Sequence, residues 1–411
     1  MEAKKPLEGL RIIEYAMWIA APGGPSMLGD LGAEVIKVED IFGDGDPFRR
    51  IGTMQGAPIK GKDGSEMNPW FDSSNYNKHY VCLDTKSKDG QRIFYELLAT
   101  ADAFVTSVRQ DSLVKRGLDY DTIRKKFPKL PYIHFLGFGE KGPLKDKAAF
   151  DVATYFGAGG YLANSVPEYS DYLGNFPVAY ADCWSAGYTA TAILAGILES
   201  KLHGVGDYFT LSLYGEAFWS QRLSLLQVQF GIKYPLDPAK PTNPIINNYK
   251  SKDGRWLILC VSDYNRYFND IMRAIGRDDL VDHPIYGTDY ALKENKKEIE
   301  LSLIIKEGFS RMTAAELHDA FGSRDLPLED CATYEDLLNS EQGWANQYLE
   351  KIEYPTGDTS IALTQPISSR NAGPHSYERS KTLGFHNDYY LEELGYSKDE
   401  IVELRSKGAV K

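Results

Sequence analysis

Among the residues of this chain that could do chemistry, Asp182 has the most telling neighbours. It stands in Phe176-Pro177-Val178-Ala179-Tyr180-Ala181-Asp182-Cys183-Trp184-Ser185-Ala186-Gly187, between a short apolar approach and a run rich in small residues. Ala186, Ala190, Ile193, Leu194 and Ile197 recur at helical spacing, which predicts a buried helix directly after it. An Asp at such a place has two readings. As an N-cap its oxygens accept free backbone N–H groups, and local sequence alone favours this. As an ionised carboxylate at a helix N-terminus facing a cleft, it can act as a nucleophile.

The other candidate groups narrow the chemistry. The seven histidines show no HExxH or similar ligand spacing, and Cys82, Cys183, Cys260 and Cys331 form no CxxC pair, so no metal site and no disulfide framework is signalled. Arg49, Arg50, Lys78, Lys86, Lys88, Lys115 and Arg116 fall in or beside predicted strand-end loops. Solvated surface charge is the plain reading. In a chain of net charge −12, their bias toward these loops also suits a phosphate-bearing ligand. Glu140, in the Gly/Pro turn Leu136–Pro143, is either a carboxylate for a substrate hydroxyl or water, or an exposed turn residue.

The elements that must position these groups begin with a strand at Leu10–Tyr15. A Gly/Pro-rich turn through Ala20–Pro25, a helix through Met27, Leu28 and Leu31, and a strand at Glu34–Glu39 follow. Such a unit predicts a parallel sheet with a ligand at the strand carboxyl ends. Prolines occupy the turn where GxGxxG would need glycine or a donor N–H, which speaks against an NAD-dependent dehydrogenase. The stretch Ile41–Asn68 reads as a loop. Further strands are expected at Lys78–Asp84, Ala103–Thr106, Pro131–Phe135 and Asp207–Leu213, with helices between them, giving a doubly wound α/β domain. An amphipathic helix is expected over Glu216–Gly231.

A chain of 411 residues is long for one core, so two domains are expected. The Pro/Asn/Lys stretch Tyr234–Pro244 reads as their boundary. Beyond it come a hairpin turning at Asp253-Gly254 and helices through Phe268–Ile275, Lys297–Phe309 and Ala314–Phe321, a small α+β domain. A last strand is expected at Ile367–Asn371, then a helical pair at Leu391–Leu394 and Ile401–Leu404. The acidic balance argues against nucleic acid as a partner. No apolar run approaches membrane-spanning length, and Met1–Pro6 leads into the first strand without an apolar signal core, so a soluble, cytoplasmic protein is expected.

Taken together, Leu7–Tyr15, Leu31–Glu39, Asn77-Lys78, Tyr249–Trp256 and Leu383–Asn387 resemble the class III, formyl-CoA transferase-like (CaiB/BaiF) coenzyme A-transferases almost end to end. Gly139–Lys147 and Gln342–Asn346 are similar to the subgroup acting on (R)-2-hydroxy acids such as phenyllactate or 2-hydroxyisocaproate. The resemblance implies an α/β fold: a Rossmann-like large domain (1–230, completed by 331–411) and a small α+β domain (231–330), in an interlocked ring-like homodimer. It implies coenzyme A and acyl-CoA as substrates, with no permanently bound cofactor. The family's nucleophilic aspartate falls on Asp182, and its CoA-contacting positions on Trp18, Ile19, Ala20, Lys86, Ser107, Val108 and Lys115. Asp40 stands where the family has an arginine, and Cys183 where the close subgroup has histidine. The family also holds α-methylacyl-CoA racemases, whose catalytic histidine would fall at Phe150, a side chain that cannot carry a proton.

Overall fold

The computed structural model describes residues 5–51, 59–64, 67–167, 169–370, 373 and 376–411. Met1–Lys4, parts of the Ile41–Asn68 loop and Asn371 lie outside them. The chain divides into two compact units, one of residues 1–162, 175–230 and 341–411, the other of 163–174 and 231–340.

The first unit is built on a parallel sheet of β1 (Arg11–Tyr15), β2 (Glu34–Asp40), β3 (Lys78–Leu83), β4 (Ala103–Thr106), β5 (Tyr132–Leu136) and β6 (Tyr208–Ser212), in the order β3-β2-β1-β4-β5-β6. The order reverses between β1 and β4, the switch point at which doubly wound sheets open a crevice beyond the strand carboxyl ends. Adjacent residues of a strand face opposite sides. Accordingly Ile12, Val35, Val105 and Ile133 pack with Ile193 and Ile197 on one face, and Ile13, Ile36 and Phe104 with Phe94, Tyr390 and Leu404 on the other. The edge strand β3 is covered by the returning C-terminus. Asn387 Oδ1 accepts the Cys82 N–H at 2.8 Å, His386 Nδ1 accepts that of Tyr80 at 2.9 Å, and Val410 bridges Leu83.

The helices α1 (Ala20–Asp30) and α2 (Tyr180–His203) lie against each other on the Ile12 face. Glycine makes their approach possible. A Cβ on Gly24 would meet Thr189 Cβ at 2.6 Å and the Ala190 nitrogen at 2.9 Å. Gly24→Ala, ordinarily favourable in a helix, is therefore expected to lower stability by ~1–3 kcal/mol through overpacking, measurable by urea denaturation.

The second unit carries the antiparallel sheet β7 (Ile246–Lys250), β8 (Trp256–Cys260) and β9 (Leu328–Asp330). Amphipathic helices, among them Tyr264–Ala274 and Glu298–Arg311, pack Phe268, Ile271, Ile305 and Phe309 with Leu257 and Leu259. This unit runs on to Ser340, past the residue-330 boundary read from the sequence. The Cys331 N–H donates to the Trp256 carbonyl at 2.9 Å, and Arg255 pairs with Asp336 at 2.7 Å, tying 331–340 to β8.

Two elements differ from expectation. No strand forms over 367–370; the late strands are the hairpin β10 (Leu349–Glu353) and β11 (Thr359–Leu363). The Gln365 side chain takes both backbone groups of Ile367, at 2.7 and 2.5 Å, which a sheet ladder would need. The expected helix over Glu216–Gly231 is broken in two, α3 (Leu213–Ser220) and a second helix over Arg222–Gln229. At the break, Gln221 Nε2 donates to the Gly159 carbonyl at 2.8 Å.

Candidate active site

Asp182 is not the N-cap of α2. The helix starts at Tyr180, and the capping position is Ala179, held in the left-handed region at φ 67° with no side-chain cap. The cap comes from elsewhere in the chain. Asp151 Oδ2 accepts the N–H groups of Ala181 at 2.9 Å and Asp182 at 3.4 Å. Asp151 opens a π-helical segment, Val152–Ala158, a geometry that recurs at functional sites. With its helix capped by another residue, the Asp182 carboxylate is left without a hydrogen bond or ion pair among the described residues.

Its electrostatics are unusual for an aspartate. Burial first, then the nearby Asp151 and Glu216, push its carboxyl up to about 7. Asp151 and Glu216 are also raised, each chiefly by burial. Glu216, on α3, bonds Ser185, one turn along α2 from Asp182. Three carboxyl groups thus meet at the start of α2. Like charges in one buried place cannot all ionise easily.

A second feature lies at the sheet switch point. A cavity of about 270 Å³ beyond β1 and β4 is lined by Tyr15, Met17, Asp40, Arg50, Val108 and Arg116, among others. The turn before α1 leads from it toward α2. Met17 N–H donates to Ser107 Oγ at 3.0 Å, and Trp18, at φ 69°, donates its N–H to Asp46 Oδ1 at 3.1 Å. The Trp18 ring meets Phe150 edge-on with centroids 5.8 Å apart, and Phe150 precedes the capping Asp151.

Of the residues singled out from the sequence, Val108 lines the cavity and Ser107 holds the adjoining turn. Ile19 and Ala20 begin α1 and are buried. Lys86 is exposed, with its ammonium 4.4 Å from the centre of the Phe42 ring, itself in the cavity wall. Lys115 is exposed on the Gln110–Arg116 helix, whose Ser112 and Arg116 reach the wall. Glu140 is an exposed turn residue beyond β5, and the carboxyls that act on Asp182 are Asp151 and Glu216 instead. Asp40, in place of the family's arginine, accepts from Thr85 at 2.7 Å and lies 3.4 Å from Arg116.

Several basic residues prove structural. Lys78 opens β3, at the amino end of the sheet, and with Lys37 shares the buried Glu14, each at 2.7 Å. Arg49 grips Glu39 with two hydrogen bonds of 2.8 and 2.7 Å and stacks on Phe71. Arg50 differs: it bonds only the carbonyls of Gly43 and Asp44 and pairs with no carboxylate among the described residues.

A family model described as CoA-transferase family III matches residues 7–387. The chain belongs to that family. It is 35% identical over 405 residues, covering 98% of this chain and 99% of the other, to (R)-2-hydroxy-4-methylpentanoate CoA-transferase of Clostridioides difficile. It is also 35% identical over 399 residues, covering 96% and 95%, to cinnamoyl-CoA:phenyllactate CoA-transferase of Clostridium sporogenes. The fold of this family III CoA-transferase matches the crystal structure of a CaiB/BaiF family protein from Brucella suis at a TM-score of 0.76, with 24% identity over 95% of this chain and 100% of that one. Nothing favours the racemase alternative: Phe150 offers no base. Nor does anything favour the dehydrogenase.

Proposed function

We propose that this protein moves CoA from an acyl-CoA thioester to the carboxylate of an (R)-2-hydroxy acid, such as phenyllactate or 2-hydroxyisocaproate, with Asp182 as nucleophile. The observation that carries this is the Asp182 carboxylate, unengaged among the described residues, on a helix capped by Asp151. An Asp182 oxygen attacks the thioester carbonyl, the C–S bond breaks, and CoA leaves as thiolate, giving a mixed anhydride. The thiolate attacks the aspartyl carbonyl, releasing the donor acid and forming an aspartyl-CoA thioester. The acceptor carboxylate attacks that thioester, forming a second anhydride, and the thiolate then takes its acyl group. Every intermediate is reactive enough to pass the group onward, which a serine ester would not be.

The switch-point cavity, with Val108 in its wall, suits the nucleotide end of CoA, and Trp18, Ile19, Ala20, Lys86, Ser107 and Lys115 are the further contacts of this proposal. Arg50, paired with no carboxylate among the described residues, is the added candidate for a phosphate. Arg50→Ala is expected to raise KM for acyl-CoA about tenfold with kcat little changed, as loss of one charged contact would do. Steady-state kinetics check this.

Ionised Asp182 is the attacking form. Because its carboxyl is pushed up to about 7, kcat/KM should fall by about tenfold per pH unit below that range. A profile flat down to about pH 5 would mean an ordinary carboxylate.

A homodimer is part of the proposal. Leu194, Leu198 and Leu202 form an exposed stripe on α2, and Phe218, Trp219, Leu223, Leu226 and Phe230 are exposed just beyond. A surface of that kind calls for a partner, here a second copy. No helix among the described residues is long and apolar enough to cross a membrane, which fits a cytoplasmic enzyme. The test of function is a mass-spectrometric panel of acyl-CoA donors and carboxylate acceptors. Transfer to (R)-2-hydroxy acids supports the reading, and transfer only to acids lacking the hydroxyl overturns the acceptor class.

A further inference from the structure

Glu216 is 7% exposed, and its Oε1 has no hydrogen-bond partner among the described residues. Its Oε2 lies 2.5 Å from Ser185 Oγ, and that same Oγ lies 3.0 Å from the Ala181 carbonyl oxygen. A hydroxyl has one hydrogen, and an ionised carboxylate and a carbonyl both only accept. With Glu216 ionised, one of the two contacts would set lone pair against lone pair in a buried place. With a proton on Oε2 both close: Glu216 donates to Ser185, and Ser185 donates to Ala181. No lysine or arginine forms an ion pair with Glu216 among the described residues, so nothing there offsets a negative charge on it.

We propose that Glu216 is a positioning residue that works as a neutral, hydrogen-bond-donating acid, fixing the first turn of α2 through Ser185 and Ala181 while keeping a further charge away from Asp182. The proposal rests on the reading of Asp182 as nucleophile. Glu216 acts through the helix turn and touches no substrate.

The groups that face this carboxyl are Asp182 from α2 and Tyr155 from the π-helical segment, with Asp151 acting in turn on Asp182. Burial holds protons on both Asp182 and Glu216 up to about 7. Two interacting acids titrate as a pair. The helix N-terminus favours charge on Asp182, and with the single Ser185 hydrogen given to the Ala181 carbonyl the hydrogen of the second contact sits on Glu216 Oε2, so Asp182 ionises first. Ionisation of Glu216 at higher pH then breaks its donation to Ser185. It also sets a negative charge against the oxyanion that forms as Asp182 attacks. The parent enzyme should therefore lose activity on the alkaline side as well as the acid side.

The test compares kcat/KM against pH for the parent, Glu216→Gln, Glu216→Ala and Ser185→Ala. Gln keeps the shape and the donor and cannot ionise. It is expected to stay within about threefold of the parent at neutral pH and to lose the alkaline fall, whereas the two alanine variants drop about tenfold or more. The infrared difference spectrum of parent minus Glu216→Gln at neutral pH should carry the C=O band of a protonated carboxyl. The proposal is overturned if Glu216→Gln is as impaired as Glu216→Ala, if its alkaline fall is unchanged, or if the difference spectrum shows carboxylate bands instead. Failure of the nucleophile reading is a separate outcome, seen as full exchange by Asp182→Asn.

Discussion

Asp182→Asn is expected to fold and to bind acyl-CoA, while kcat for CoA exchange falls on the order of 10³-fold or more. The amide has the shape of the carboxylate without its nucleophilic charge. Loss of fold cannot account for the fall, because the substitution relieves repulsion. Asp182 is half-buried beside the buried Asp151 and Glu216, makes no stabilising polar contact through its carboxylate among the described residues, and is pushed up to about 7 by those surroundings. A charged group placed in that way costs stability, so the variant should unfold at the same urea concentration as the parent or a higher one. Normal acyl-CoA binding by calorimetry, with exchange lost, is the expected pair of results. Exchange at the parent rate would move the nucleophile elsewhere.

Glu14→Ala is expected to have the largest effect on stability, about 3–5 kcal/mol, because it leaves the buried Lys78 ammonium without a carboxylate and that of Lys37 with Asp46 alone among the described residues. Glu14, Lys37 and Lys78 have fully buried side chains, and the carboxylate holds one lysine on each oxygen at 2.7 Å. Lys37 also lies 3.0 Å from Asp46 Oδ2. Both lysines reach on to the start of α1, Lys37 to the Ala16 carbonyl in the turn before it at 3.0 Å and Lys78 to that of Pro22 in its first turn at 2.8 Å. The network therefore fixes the turn that joins the cavity to the neighbourhood of Asp182. Hydrogen exchange of the β1 and β3 amides reads the loss locally, which matters in a chain of two units whose unfolding need not be two-state. A loss below about 1 kcal/mol would be that of an exposed ion pair and would contradict the buried network.

Much of the first unit was legible in the sequence, because its strands are short apolar runs bounded by turn residues. The run Ile12-Ile13 feeds both faces of the sheet, and Glu34–Glu39 differs from β2 only by one residue at its end. Asp182 stood out because a carboxylate before a small-residue helix is a local pattern. Its surroundings were not legible, since they are tertiary. Asp151 caps the helix from 31 residues away in sequence, and Glu216 reaches Ser185 across the same separation of 31. Glu140 drew attention by its turn and proves to be exposed, while Lys78 and Arg49 looked like strand-end charges and are consumed by buried carboxylates. Residue type announces a charge, but only packing decides whether that charge meets a ligand or a neighbour. The false strand at Ile367 makes the same point at the level of the backbone, since one glutamine side chain takes the groups a ladder would use.

The most direct test is to trap the enzyme during turnover with an acyl-CoA donor, adding hydroxylamine or borohydride, and to map the modified peptide by mass spectrometry. Modification at Asp182 is expected, as the hydroxamate or the reduced alcohol, and it should be absent without donor. Turnover that leaves every peptide spanning Asp182 unmodified, or that places the adduct on another residue, would contradict covalent catalysis by this carboxylate.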